Sequence, residues 1–326
     1  MKILAVDDDP IILDLLTEVL RAAGFTNLTV CSSAPDALNA IEEAVVPFDC
    51  FLFDIQMPDV DGIELTAAVR RTPGYAETPI LMITAMSDRT YIDNAFAAGA
   101  SDYITKPFEI GEVHARLRVI ESLVNERKRK EDRNPVTVPQ EPLALVSEEV
   151  FQKRLQLQEI DGFIDYLALE NYLLQMSRVS LLGMYAVGIA VRDFKRLLAG
   201  STVYEYESAV ADVAEALSDT LKPHSFFATH AGEGEFVCIL ADGRNFDAEE
   251  FQTALNETLC EMDLHFCDGR PMYLQAIVGD PVSLKVKLAR SLPNALVQAT
   301  SNAEAVARSG RDQNDDKVAK RTLFGL

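Results

Sequence analysis

Five polar residues in the first third of the chain each close or follow a short apolar run: Asp7 and Asp8 after 2–6, Asp54 after 50–53, Thr84 after 80–83 and Lys106 after 102–105. Carboxylates gathered in one place repel one another, so such a group wants a cation. Oxygen ligands from carboxylates, a backbone carbonyl and water suit Mg²⁺. A metal beside one carboxylate, with a lysine and a hydroxyl nearby, can orient and neutralise an incoming phosphoryl group. That makes an aspartate the candidate nucleophile.

The elements between these residues must bring them together. The runs 2–6, 28–31, 50–53, 80–83 and 102–105 are short and apolar-rich, the pattern of strands buried in a parallel sheet. Between them lie 10–23, 34–44, 62–71 and 88–98 with apolar residues at helical spacing, such as Ile12, Leu15, Leu16, Val19 and Leu20, and a fifth helix starts near Glu109. Five β-α units predict a doubly wound α/β domain whose working edge lies at the carboxyl ends of the strands, where all five polar residues fall. Asp9-Pro10 reads as an N-cap with proline at the first helical position, and Pro58-Asp59 with Gly62 as turn chemistry.

The sequences Val6-Asp7-Asp8, Phe53-Asp54-Ile55-Gln56-Met57-Pro58-Asp59-Val60-Asp61-Gly62, Met82-Ile83-Thr84-Ala85 and Tyr103-Ile104-Thr105-Lys106-Pro107-Phe108 stand in the right order and at the right intervals for a receiver domain. Over residues 1–124 the chain resembles the receiver domain of two-component response regulators, with no departure at a functional position. The resemblance implies a flavodoxin-like five-stranded parallel sheet. It implies that Asp54 accepts a phosphoryl group from a histidine kinase or phosphotransfer protein. Asp8, Asp54 and the Gln56 backbone carbonyl would hold Mg²⁺, with Asp7 acting through water. Lys106 would pair with the phosphoryl oxygens while Thr84 swings toward them and Tyr103 moves inward. The new group carries about −1.5 to −2 charge and biases the surface around the fourth helix, fifth strand and fifth helix.

Composition sets the wider frame. The chain has 326 residues, 48% apolar and 25% charged, the balance of an ordinary globular protein of about two domains. The apolar-rich uncharged run 179–191 contains Gly183 and Gly188 and is too short to span a bilayer. Asp7-Asp8-Asp9 directly after the first apolar run argues against a signal peptide, and five cysteines read as reduced thiols of a cytoplasmic protein. A net charge of −21 repels phosphate backbones and anionic lipid, so neither DNA nor membrane is expected as a partner.

Val113, Leu117, Ile120 and Val124 carry the fifth helix into the charge run 125–133, a solvated helix end. Three prolines in 134–142 mark a connector, so 125–146 reads as charged helix end and linker. A second amphipathic helix is predicted over 147–176, able to pack on a partner and so link phosphorylation to homodimer formation. Strand 184–191, helix 204–221, strands 226–230 and 236–240, helix 248–261, strand 272–278 and a helix over about 284–300 follow. This β-α-β-β-α-β order predicts an α+β, ferredoxin-like unit over 147–310 with helices on one sheet face, then a polar tail over 311–326.

Gly232-Glu233-Gly234-Glu235-Phe236 falls at the hairpin between two strands, with Ala190-Val191-Arg192-Asp193-Phe194-Lys195, Gln275–Gly279 and Ala295–Thr300 around it. In that context the second half resembles the GGDEF domain of diguanylate cyclases in degraded form. The departures decide its expected chemistry. The family's first metal-binding aspartate is Ala190 and the acidic third position of its signature is Gly234; a guanine-contacting asparagine falls at Leu198 and a phosphate-binding lysine at Thr300. Glu233 stands where the second glycine should be, and the family's R-x-x-D product-binding motif is absent. Phosphoryl transfer rests on positioned cations, so a site without both carboxylates should not cyclise GTP. Lys195, Glu207 and Glu235 survive as polar residues and read as surface charges. Cys260, His265 and Cys267 lack zinc spacing, and His114, His224 and His230 form no catalytic pattern. The expectation is a non-enzymatic output unit working by protein contact. The rivals are a cyclase with substituted ligands and a receptor for GTP or cyclic di-GMP.

Overall fold

The computed structural model describes residues 1–85, 89–133, 144–157, 159–241, 246–285 and 291–324, with side chains described except at 130–133 and 309–324. The expected connector over 134–142, the start of the fourth helix at 88 and part of the expected 284–300 helix lie outside the described residues. The chain divides into two compact units, Met1–Pro139 and Gln140–Leu326.

The first unit alternates β1 (Ile3–Val6), α1 (Pro10–Ala22), β2 (Leu28–Cys31), α2 (Ala34–Glu42), β3 (Cys50–Phe53), α3 (Gly62–Arg71), β4 (Ile80–Thr84), α4 (Arg89–Ala97), β5 (Asp102–Thr105) and α5 (Ile110–Arg133). All strand pairs are parallel in the order β2-β1-β3-β4-β5. The order reverses at β1, which places a crevice at the carboxyl ends of β1 and β3. β1, β3 and β4 are buried along their whole length, which explains their continuous apolar runs. α1 starts at the cap read in sequence, the Asp9 carboxylate accepting from Ile11 N–H at 2.8 Å, and α3 at one the sequence reading did not name, Asp61 accepting from Glu64 N–H at 2.8 Å. Val113, Leu117, Ile120 and Val124 bury one stripe of α5. The charge run beyond them stays helical, with Arg127 2.7 Å from Glu77 and Lys128 2.6 Å from Asp49.

The second unit contains α6 (Glu148–Gln152), α7 (Tyr166–Gln175), β6 (Tyr185–Val191), α8 (Phe194–Leu197), α9 (Val203–Leu221), β7 (Phe226–Gly232), β8 (Glu235–Leu240), α10 (Ala248–Glu261), β9 (Ala276–Val278), β10 (Val282–Ser283) and α11 (Leu292–Phe324). Its sheet is antiparallel, in the order β10-β6-β8-β7 with β9 also on β6. Val187, Ile189 and Val191 share one core cluster with the apolar residues of α9 and α10. Gly188 alternates to the other face, where an added Cβ would fall 2.0 Å from the Ala299 carbonyl oxygen of α11. Helices therefore cover both faces of the sheet, not one.

Three more sequence expectations are corrected here. The single helix over 147–176 is two short helices, because an irregular segment between them bonds to the sheet: Leu155 N–H donates to His230 Nδ1 at 3.0 Å and Ile164 N–H to Ala228 O at 2.9 Å. Asp161-Gly162 turns the chain there, and Asp165 caps α7 through Leu167 N at 2.8 Å. The late strand is shorter than 272–278, because Met272 N–H pairs back to Leu264 O at 2.7 Å. Finally, α11 starts at Leu292 and runs through the region expected as a polar tail.

Candidate phosphoacceptor site

The β1-β3 pairing aligns Val6 with Phe53, so the residues that follow both strands emerge side by side. Asp54 N–H donates to Val6 O at 2.9 Å, and Asp7 Oδ1 accepts from Asp9 N–H at 3.0 Å. One ligand oxygen each from Asp7, Asp8 and Asp54 can be chosen within 4.8 Å of one another, with Asp7 and Asp54 buried and Asp8 exposed. Lys106 reaches in from the end of β5, its Nζ 2.6 Å from Asp7 Oδ2 and 3.2 Å from Asp54 Oδ1. The second contact has ion-pair distance without hydrogen-bond alignment, and Asp54 Oδ1 is buried with no hydrogen-bond partner.

The loop from β3 to α3 is drawn tightly over this carboxylate. A Cβ added to Gly62 would lie 1.9 Å from Asp54 O, a distance no side chain tolerates. The sequence reading gave Gly62 to ordinary turn chemistry; its larger role is to let α3 start against the backbone of Asp54. Gln56 is exposed in the same loop. Thr84 ends β4, fully buried, and its carbonyl accepts Lys106 N–H at 2.7 Å, which fixes the root of the lysine. Tyr103 is fully buried already. Burial, with the nearby Asp54 charge, pushes its phenol up to about 12. The structure thus gathers Asp7, Asp8, Asp54 and Lys106, and sets Thr84 and Tyr103 in the core behind them.

Burial raises the Asp54 carboxyl above its ordinary range; Lys106 opposes this, and Asp7 and Asp8 add to it. A hard divalent cation suits this donor set: three carboxylates, one of them half of an unaligned ion pair, open to solvent on the Asp8 side. It is the one such acidic group among the described residues. Cys260, His265 and Cys267 gather no comparable set there, and all five cysteines are free thiols.

At the other predicted site, Glu233 and Gly234 form a two-residue turn, both with positive φ (+55° and +75°), between paired Gly232 and Glu235. Ala190 is buried on β6 opposite Glu235, and Leu198 is buried just after α8. Thr300 donates within α11 to Val297 O at 3.0 Å. Gly234 leaves room for the Phe194 ring, which an added Cβ would meet at 2.3 Å. Glu235 is pushed up to about 7 by burial and by Glu304 and Glu233, against Arg308. Phe236 is buried in the core, Glu207 is half-buried on α9, and Lys195 pairs with Glu148 Oε1 at 2.6 Å. Glu148 and its neighbour Phe151 were not singled out in the sequence, because their contacts depend on a backbone path that spacing does not reveal.

Residues 3–118 match the response regulator receiver domain family. The DNA-binding response regulator MtrA of Mycolicibacterium smegmatis is 38% identical over 117 residues, 36% of this chain and 49% of that protein. The transcriptional regulatory protein CpxR of Escherichia coli is 29% identical over 239 residues, 72% of this chain and 96% of that protein. The signal transduction histidine-protein kinase BarA of Escherichia coli is 34% identical over 117 residues, 36% of this chain and 12% of that protein. The chain thus spans about half the length of the first of these relatives. The first unit is a response regulator receiver domain of two-component signalling. The relatives carry it in regulators and in a kinase, so the match leaves the second unit's role open. The expectation that DNA is not a partner finds no support in relatives named as DNA-binding and transcriptional regulators. No helix among the described residues is long and apolar enough to cross a membrane.

Proposed function

We propose that the protein is a phosphorylation-controlled, cytoplasmic response regulator in which Asp54 accepts a phosphoryl group and the second unit passes the state on by protein contact or homodimer formation. The observation that carries this reading is the convergence of Asp7, Asp8, Asp54 and Lys106 at one sheet edge. An Asp54 oxygen attacks phosphorus, the donor's P–N bond to histidine breaks, and an acyl phosphate forms. Lys106 Nζ, now shared between Asp7 and Asp54, pairs with the phosphoryl oxygens. Asp8, Asp54 and the Gln56 carbonyl, with Asp7 through water, would hold Mg²⁺, which supplies charge neutralisation for the phosphoryl oxygens. Thr84 turns toward the new group with Tyr103 packed behind it.

For the second unit, the antiparallel order β9-β6-β8-β7 and the β-α-β-β-α-β succession support a ferredoxin-like, GGDEF-type unit. Ala190 and Gly234 remove both metal carboxylates, and the Phe194 ring fills the space at Gly234. Cyclase activity is therefore lost in this reading. Acetyl phosphate with Mg²⁺ should add one acid-labile phosphoryl group, absent in Asp54→Ala; labelling of that variant overturns the assignment. With beryllofluoride, GTP and Mg²⁺, no cyclic di-GMP should form. DNA binding is the second reading, favoured by the names of the relatives and opposed by a net charge of −21. A salt-dependent gel shift on genomic fragments would select it.

A further inference from the structure

The hairpin end of the second unit is covered by its own chain. Phe151 of α6 is 4% exposed, with its ring centroid 5.9 Å from that of Phe194 and 5.6 Å from that of Tyr206. Its carbonyl accepts two hydrogen bonds, from Glu233 N–H at 2.9 Å and from the Tyr206 hydroxyl at 3.1 Å. The Gln152 carbonyl sits 2.8 Å from where a Gly232 Cβ would stand. Glu148, one turn earlier, pairs with Lys195 Nζ at 2.6 Å. The turn amide, the aromatic pair and the lysine at this end are thus all engaged by the five residues Glu148–Gln152.

We propose that α6 is a strap closed over the Glu233-Gly234 turn, and that the signal leaves the receiver domain as release of this strap. The inference rests on the reading of the chain as a phosphorylation-controlled regulator. Three features make α6 suited to release. A helix this short has no stability of its own, so its contacts alone hold it. Its ion pair is exposed on both sides and contributes little. The Glu233 N–H lies at a hairpin tip, where water can replace the Phe151 carbonyl. The largest apolar attachment is the buried Phe151 ring, with Val150 packed beside it on the same core. The strap is also the first helix after α5 in the chain, and the residues just ahead of it are tied to the start of α9, Val146 N–H donating to Ser201 O at 3.0 Å and Val203 N–H to Ala144 O at 2.7 Å. Release uncovers Phe194 and Tyr206, an aromatic face with Lys195 on one side and Glu207 and Glu233 near Tyr206.

The test is amide exchange followed by NMR on the full chain, with phosphorylation checked by intact mass. In the phosphorylated protein, Glu233 and residues 148–152 should exchange about ten-fold faster, with the interior of β8 unchanged. Asp54 phosphorylated with unchanged exchange at Glu233 overturns the proposal. A second arm needs no phosphorylation. Phe151→Ala should raise Glu233 exchange about ten-fold, and the gentler Glu148→Lys about two- to five-fold, restored by adding Lys195→Glu. Parent-like protection in folded Phe151→Ala and in Glu148→Lys overturns the strap, even where failure of Asp54 to take the phosphoryl group has overturned the receiver reading by itself.

Discussion

His230 lies on β7 and is almost wholly inaccessible. Its Nδ1 accepts the Leu155 amide at 3.0 Å, so the proton of the neutral ring is assigned to Nε2, which is buried without a partner. Burial, with the Arg154 charge adding to it, lowers the imidazole from 6.5 to about 3. The folded value is depressed, so the stability His230 contributes is full above pH 6.5 and is lost as pH falls toward 3. At pH 4.5 the unfolded imidazole is charged and the folded one is not. Two pH units of about 1.4 kcal/mol each then cost the second unit about 3 kcal/mol. Protonation would also break the Leu155 bond and free the segment between α6 and α7. Two assays follow. In NMR the His230 ring signals should stay still from pH 8 to 4.5. By calorimetry, His230→Phe should flatten the acid side of the stability curve by up to one proton. A His230 midpoint near 6.5, or equal slopes in the two proteins, refutes the reasoning.

Gly62→Ala must push α3 off the Asp54 backbone, because its Cβ would lie 1.9 Å from Asp54 O; we expect about 3 kcal/mol or more lost from the first unit by denaturant melts and at least about ten-fold slower acetyl phosphate labelling. The Asp54 carboxyl is raised by burial, so its ionisation costs stability as pH rises through the ordinary carboxylate range. Asp54→Asn should therefore melt higher at neutral pH, by about 0.5–2 kcal/mol, with the gain fading in acid; an equal or lower melt at pH 7 contradicts this. Gly234→Asp, alone or with Ala190→Asp, should destabilise the second unit by about 1–3 kcal/mol, because φ of +75° and the Phe194 ring both oppose a side chain there. Chromatography should show no cyclic di-GMP from either variant.

The first unit was legible because its chemistry is tied to period. Each of Asp7, Asp54, Thr84 and Lys106 closes or follows a buried strand, and parallel β-α units put every strand end on one edge. No such rule governs the second unit. The apolar spacing of Val150, Leu155, Ile160 and Ile164 fits a helix, yet Asp161-Gly162 and the cap at Asp165 carry a stop that competing contacts at His230 and Ala228 enforce. Likewise Gly188 reads in sequence only as a glycine within the strand 184–191, although its role is to admit the Ala299 carbonyl and so seat α11 on the second face. Substitution could be read where a side chain was lost, at Ala190 and Gly234. What replaced it could not, because the Phe194 ring against Gly234 and the Phe151 carbonyl on Glu233 are matters of backbone path. The same replacements bear on function. A hairpin whose turn amide, aromatic neighbours and lysine are satisfied by α6 has those groups engaged before any ligand arrives. Under the strap proposal, a molecule that uses the turn amide and the aromatic pair must first displace α6, which makes the strap the step a signal acts on.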